Sequence, residues 1–156
     1  MADTLAVLFP GPVDFPATNP ATPVVLGNGR DGLAFDDTTS ESIIFAFPMP
    51  AQYAAGALSL KVYYAMDTAT TGDVDLDASV EAIADAELTD VDSFDTVNSV
   101  DGTAVPGTAN HRDTVSITLT NKDSVAVGES VRIKLARDIA DTATGDLWVV
   151  GVELQE

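Results

Sequence analysis

Residues 129–154, ESVRIKLARDIADTATGDLWVVGVEL, decide the fold class. Val131, Ile133 and Leu135 alternate with Arg132, Lys134 and Ala136, the period of a strand with one face toward a core and one toward water. A polar, Gly-containing connection follows over residues 137–146. Residues 147–154 are nearly all apolar and carry the only tryptophan, Trp148. Apolar residues on both sides of a strand place it inside a sheet rather than at its margin. The two strands and their polar turn are expected to form a hairpin whose second arm lies within the fold.

Upstream, the same period recurs. Thr114 to Thr120 turns Val115, Ile117 and Leu119 inward. Residues 73–82 alternate Val74, Leu76, Ala78 and Val80 with Asp73, Asp75, Asp77, Ser79 and Glu81, and residues 82–88 could instead close with a helical turn. Residues 57–66 place Leu58, Leu60, Val62, Tyr64 and Met66 on one face and Ser59, Lys61 and Tyr63 on the other. Ser42 to Phe47 is a short strand stopped by Pro48 and Pro50. Residues 89–105, with Val91, Phe94, Val97 and Val100, fit neither period and suggest an irregular strand and a loop. Val24 to Leu26 adds a short strand. The sum is about eight strands and little helix, which predicts an all-β chain: a single antiparallel β-sandwich of jelly-roll type.

The first 23 residues stand apart. Pro10, Pro12, Pro16, Pro20 and Pro23 exclude a helix, yet Leu5, Val7, Leu8, Phe9 and Phe15 are too apolar for a solvated linker. They are read as an extended arm over residues 1–23, lying on its own sandwich or on a neighbouring subunit, with the sandwich domain over residues 24–156. An arm of that kind should be removable without unfolding the sandwich.

Composition narrows function by exclusion. The chain has 156 residues, seven basic and 25 acidic, for a formal charge of −18. That field repels phosphate backbones and anionic lipid surfaces, so neither nucleic acid nor membrane is an expected partner. With no cysteine there is no disulfide, thiolate metal site or cysteine nucleophile. The N-terminus lacks the basic start of a signal peptide, and no run approaches a membrane span, so synthesis in the cytoplasm is expected.

Candidate sites have bland readings beside them. Gly27-Asn28-Gly29-Arg30-Asp31-Gly32 spells a dinucleotide fingerprint, but no helical period follows to receive a pyrophosphate, and a turn between strands is the better reading. Asp73, Asp75 and Asp77 begin like a calcium loop, but Ala78 and Ala84 stand where it needs Gly and Glu. On a strand they form a solvated face. Asp138, Asp141 and Asp146 suit turn chemistry as well as a metal. His111 is the only histidine, so a catalytic triad would have to be built around it, and no nucleophile-elbow motif is present. Arg132 and Lys134, with Arg137 as a possible third, form the basic cluster, suited to intramolecular pairing or to docking an acidic neighbour. No catalytic residue, metal site or cofactor is expected, and the chain is not read as an enzyme.

From Asp113 onward, DTVSITLTNKDSVAVGESVRIKLARDIADTATGDLWVVGVELQE resembles the C-terminal half of small jelly-roll virion proteins of tailed bacteriophages and prophages. Leu119, Thr120, Asn121, Asp123, Ser124, Gly128, Val131, Arg132, Arg137, Asp138, Asp141, Thr142, Thr144, Gly145, Asp146, Gly151, Val152 and Glu153 carry the resemblance. VYYAMDTATTGDVDLDASVEAI is similar to the middle of the same proteins, and the arm lies outside the likeness. The resemblance implies a structural protein of the outer capsid surface, a decoration (cement) protein. Its partners would be the major capsid protein and neighbouring copies of itself in a homotrimer, with Leu5, Val7, Leu8, Phe9, Phe15, Arg132 and Lys134 as interaction residues. The alternative it implies is a receptor- or carbohydrate-binding module of a tail fibre or spike. That alternative requires Tyr53, Tyr63 and Trp148 to face outward.

Overall fold

Two sheets of alternating strands close on one apolar core in the computed structural model, which describes residues 2–89 and 92–156. In chain order the strands are β1 (Thr4–Phe9), β2 (Thr22–Leu26), β3 (Arg30–Phe35), β4 (Ser42–Pro48), β5 (Leu58–Met66), β6 (Asp73–Ile83), β7 (Asn98–Ala104), β8 (Asp113–Leu119), β9 (Ser130–Asp138) and β10 (Leu147–Gln155). The larger sheet runs β2-β3-β10-β5-β8, with β1 also paired to β10, and the smaller runs β4-β9-β6-β7. Every strand pair is antiparallel. The chain is an all-β sandwich of jelly-roll type, with ten strands where about eight were expected. Among the described residues no helix is long and apolar enough to cross a membrane.

The alternation read from the sequence is the alternation of burial. Val131, Ile133 and Leu135 of β9, Leu58, Leu60 and Val62 of β5, and Val115, Ile117 and Leu119 of β8 all point into the core. One strand had no such signal: in β3, Gly32, Leu33, Ala34 and Phe35 are buried in succession, on both faces of the sheet, so no period appears. Residues 84–88 do not form a helix; β6 runs on to Ile83 and a turn follows.

The expected hairpin does not form. β9 lies in the smaller sheet and β10 in the larger, so residues 139–146 cross between layers. Arg137 gives the physical reason. By parity it shares the inward face of Val131, Ile133 and Leu135, and its side chain has no exposure. Nε donates to Asp141 Oδ2 at 2.7 Å and Nη2 to Asp141 Oδ1 at 3.2 Å. The remaining donors reach the carbonyls of Phe35 (3.1 Å), Gly145 (2.7 Å) and Ala143 (2.6 Å). All five guanidinium N–H groups are thereby used, folding the connection around the side chain. Gly145, at φ +86°, also donates its N–H to Asp37 Oδ2 at 2.6 Å.

The arm is likewise part of the sandwich. β1 pairs with β10, from Thr4 opposite Gln155 to Phe9 opposite Val152. Residues 10–21 then cross to the smaller sheet, where Asp14 exchanges two backbone hydrogen bonds with Ile44 and Ala21 donates to the Ser42 carbonyl. This covers the edge of β4, which would otherwise offer unpaired backbone groups. The proposed boundary at residue 23 therefore does not separate an arm from a domain. Leu5, Leu8 and Phe9 are buried in the chain's own core, the two register shifts of β1 against β10 allowing residues of both parities to turn inward. Val7 and Phe15 remain outside, 61% and 47% exposed.

Arg137→Met would leave the buried Asp141 carboxylate and three carbonyls without their donor. A loss of about 3–5 kcal/mol is expected, measured as a lowered midpoint in denaturant unfolding at unchanged slope. Deleting residues 1–10 removes three buried side chains, each contributing roughly 1.5–3 kcal/mol, from a fold whose total stability is of the order of 5–15 kcal/mol. The truncated chain should lose its cooperative unfolding transition by circular dichroism; an unchanged midpoint would show that β1 is dispensable.

Candidate functional site

The outer face of the larger sheet carries an open groove whose shape follows from one irregularity in β10. Val149 pairs with Tyr64 and Gly151 with Tyr63, so Val150 is an extra residue, a β-bulge. The bulge resets the strand's phase. Leu147, Val149, Val152 and Leu154 all reach the core, while Trp148 and Val150 on one side and Glu153 on the other lie on the outer face. An unbroken alternation in phase with Leu147 and Val149 would have buried the Glu153 carboxylate and exposed Val152 and Leu154.

Across β10 and β5, Tyr63 lies against Gly151, where an added Cβ would stand 3.1 Å from the tyrosine Cδ2. Its hydroxyl donates to Glu153 Oε2 at 3.1 Å, and that same oxygen accepts from the Gln155 amide at 3.2 Å. Lys61 Nζ and Arg112 Cζ stand 5.2 and 4.8 Å from the ring centroid. Tyr63 is thus held on a strand, under one cation from its own strand and another from the loop before β8.

Beside it, a cleft of about 650 Å³ is lined by Leu26, Gly27, Gly29, Arg30, Ala65, Asn110, Arg112, Trp148 and Val150. A second, of about 560 Å³, shares Arg30, Arg112 and Val150 and extends over Lys61, Tyr63, Thr114 and Glu153 toward Val7 and Pro10. The two form one continuous surface. The 3-10 turn Gly27–Gly29 joins β2 to β3 at its rim, so the glycine-rich letters mark a tight turn with no helix behind them. Asn110, at φ +63°, donates its backbone N–H to the Met66 carbonyl at 2.8 Å, which folds the loop carrying Arg112 back over the end of β5. The Tyr64 side chain points inward. Burial first, then the nearby Asp113 carboxylate, push its phenol up to about 12, so it stays neutral.

No family model and no curated protein sequence matches the chain. Solved structures do. The Clostridium thermocellum endo-1,4-β-D-xylanase 10B, as its CBM22-1 and GH10 modules with xylohexaose, superposes with a TM-score of 0.52 at 16% identity, covering 100% of this chain and 28% of that one. An arabinose-bound α-L-arabinofuranosidase gives 0.53 at 12% identity over 91% of this chain and 22% of its own. A Bacteroides thetaiotaomicron protein to which sugar binding has been ascribed gives 0.52 at 11% identity, over 90% of this chain and 84% of that one. The chain therefore spans less than a third of the two glycosidases' length. At these identities the likeness is one of fold.

The residues singled out in the sequence are distributed as follows. Trp148 and Tyr63 are both on the outer face, half-buried, as the binding-module alternative requires; Tyr53, expected outward with them, is instead in the core, its hydroxyl accepting from Lys122 Nζ at 2.8 Å. Arg132 is engaged on the opposite sheet, 2.6 Å from Glu81 and 2.7 Å from Asp92, with Phe94 stacked at 5.1 Å. Lys134 stands 4.9 Å from the same ring. Glu81, expected outward into water, is buried because residues 92–95 cross over it: Ser93 donates to its Oε1 and the Asp95 N–H to the Val80 carbonyl. Val91 lies outside the described residues. Asp75 accepts from the Gly102 N–H and Asp77 from the Ser99 hydroxyl, so the carboxylates of β6 serve its partner β7.

Asp141 belongs to Arg137, and Asp138 accepts from the Ala140 N–H in a turn. Among the described residues no group of three or more His, Asp or Glu side chains could hold a metal ion. Burial, and then the charges of Asp36, Asp67 and Asp37, raise the Asp146 carboxyl, while hydrogen bonds from Thr38 hold Asp36 low. His111 is exposed in the loop before β8. The sequence reading missed the groove because Arg30, Lys61 and Arg112 are far apart in the chain. Its one local signal was the outward parity of Lys61 and Tyr63.

Proposed function

We propose that the chain is a non-catalytic carbohydrate-binding module that holds a glycan on the outer face of its larger sheet. The observation carrying this is that Trp148 and Tyr63 both lie on that face, in adjoining clefts that share Arg30, Arg112 and Val150 and mix apolar surface with polar groups. An aromatic ring offers a flat apolar surface to the C–H face of a sugar, and neighbouring polar side chains reach its hydroxyls. The strands beneath are rigid, so little ordering is lost on binding. Of the residues lining the groove only Glu153 is acidic, and it already accepts two hydrogen bonds. Glycoside hydrolysis ordinarily needs two carboxylates across the scissile bond, which favours binding without cleavage. The shared fold with sugar-associated structures adds support at the level of architecture.

The test uses the chain's own probe. Trp148 is the only tryptophan, so its emission should shift when a soluble oligosaccharide fills the groove. Trp148→Ala should weaken calorimetric affinity roughly thirtyfold, the scale of losing one central aromatic anchor, with the unfolding midpoint little changed. Equal affinity in wild type and variant would remove this face from the reading.

A second reading, a homotrimeric decoration protein on the outer capsid of a tailed bacteriophage, rests on the sequence resemblance and on one feature of the fold. Phe15 and Val25 are 47% and 74% exposed and border a common apolar cleft of about 250 Å³ at the β2 edge, a surface suited to a major capsid protein or a neighbouring copy. Immunogold labelling of intact particles checks it. Even labelling of heads supports the decoration role, labelling of tail tips supports a fibre module, and unlabelled particles remove the virion setting altogether.

A further inference from the structure

Three of the seven basic side chains are fixed by hydrogen bonds or ion pairs, Lys122 to Tyr53 and the Gly56 carbonyl, Arg132 to Glu81 and Asp92, and Arg137 to Asp141, and a fourth, Lys134, lies over Phe94 on the opposite sheet. The other three, Arg30, Lys61 and Arg112, make no ion pair and no side-chain hydrogen bond among the described residues. All three line the same groove, arriving from β3, β5 and the loop before β8. On a chain with 25 acidic residues, cations have ample opportunity to pair. Three that make no ion pair and converge on one face, two of them over the Tyr63 ring, where the only acid among the described lining residues already accepts two hydrogen bonds, require an account.

We infer that the ligand of this face is an acidic glycan, one whose sugar rings bear carboxylates, as uronic acids do. The inference rests on the glycan-binding reading above and names its substrate class. Guanidinium and ammonium groups only donate hydrogen bonds, whereas a neutral sugar hydroxyl both donates and accepts; an ionised carboxylate only accepts and so matches a donor-only set. Arg112 lies over the Tyr63 ring and makes no side-chain hydrogen bond among the described residues, and a guanidinium fork fits a carboxylate at two points. The net charge of −18 opposes a polyanion at long range, but remote charges are screened over about 8 Å at physiological ionic strength, while the groove cations would touch the ligand. The acidic exterior then rejects the same ligand everywhere else.

The experiment titrates the full chain with uronate hexasaccharides (galacturonate, mannuronate and hyaluronan types) and with the neutral hexasaccharides of xylose, mannose and glucose, by Trp148 emission and calorimetry. At least one uronate should bind, tenfold or more tighter than any neutral sugar. Arg30→Gln and Arg112→Gln should each weaken that binding about tenfold, the scale of one charge-assisted hydrogen bond, at unchanged unfolding midpoint. Neutral sugars binding as tightly, indifferent to both substitutions, would overturn the acidic ligand and leave the glycan-binding reading standing. No binding by any member of either set would overturn both.

Discussion

A buried guanidinium with every donor used sets the constraint on which much of this sandwich depends. Desolvating Arg137 is costly, and the cost is met only where Asp141 and three carbonyls are all in place. Those carbonyls belong to Phe35 at the end of β3 and to Ala143 and Gly145 in the connection. One side chain therefore fixes the crossing between sheets, the end of β3 and the point at which β10 begins. A hairpin of β9 and β10 would satisfy the same apolar pattern but would leave the Arg137 donors without these acceptors.

Where β10 begins determines what its outer face presents. Placed between β5 on one side and β3 and β1 on the other, it is the strand that the groove runs along. The bulge at Val150 then lets one strand serve two purposes, sealing the core with Leu147, Val149, Val152 and Leu154 while holding Trp148 outward. Gly151 completes the device: without a side chain, it lets the Tyr63 ring settle on the backbone, where Glu153, Lys61 and Arg112 hold it.

Period-two patterning made β5, β6, β8, β9 and β10 legible in the sequence, because each has one wet face and one dry face or an apolar run of strand length. It failed at β3, where successive residues are buried on both faces, and at β1, whose flanking prolines suggested an appendage although Leu5, Leu8 and Phe9 are core residues. Parity alone placed Arg137 beside Val131, Ile133 and Leu135; what it could not supply was the set of acceptors, which lie in β3 and in the connection. Glu81 was misread for a related reason, since its cover comes from residues 92–95 crossing the strand. The groove was legible only in part. Lys61 and Tyr63 announce an outward face, but Arg30, Arg112 and Trp148 join them through topology, which no local pattern encodes.

Charge distribution joins the fold to the function more closely than composition does. A net charge of −18 argues against a polyanionic partner when charge is counted over the whole chain. Counted by location, the basic residues divide in two. Four are bound into the structure, one of them at the sheet crossing, and three are left together beside the aromatic pair. Ion pairing does not account for the second group, since none of the three has a carboxylate partner among the described residues, and the contacts of Lys61 and Arg112 with the Tyr63 ring are worth only about 0.5–1 kcal/mol each at an exposed site. Solubility does not require them either, because the acidic surface already supplies it. The proposed recognition of an acidic glycan would account for them: a basic groove with aromatic side chains, on an acidic body, would offer one orientation to a ligand that is flat on one side and negatively charged at its edge.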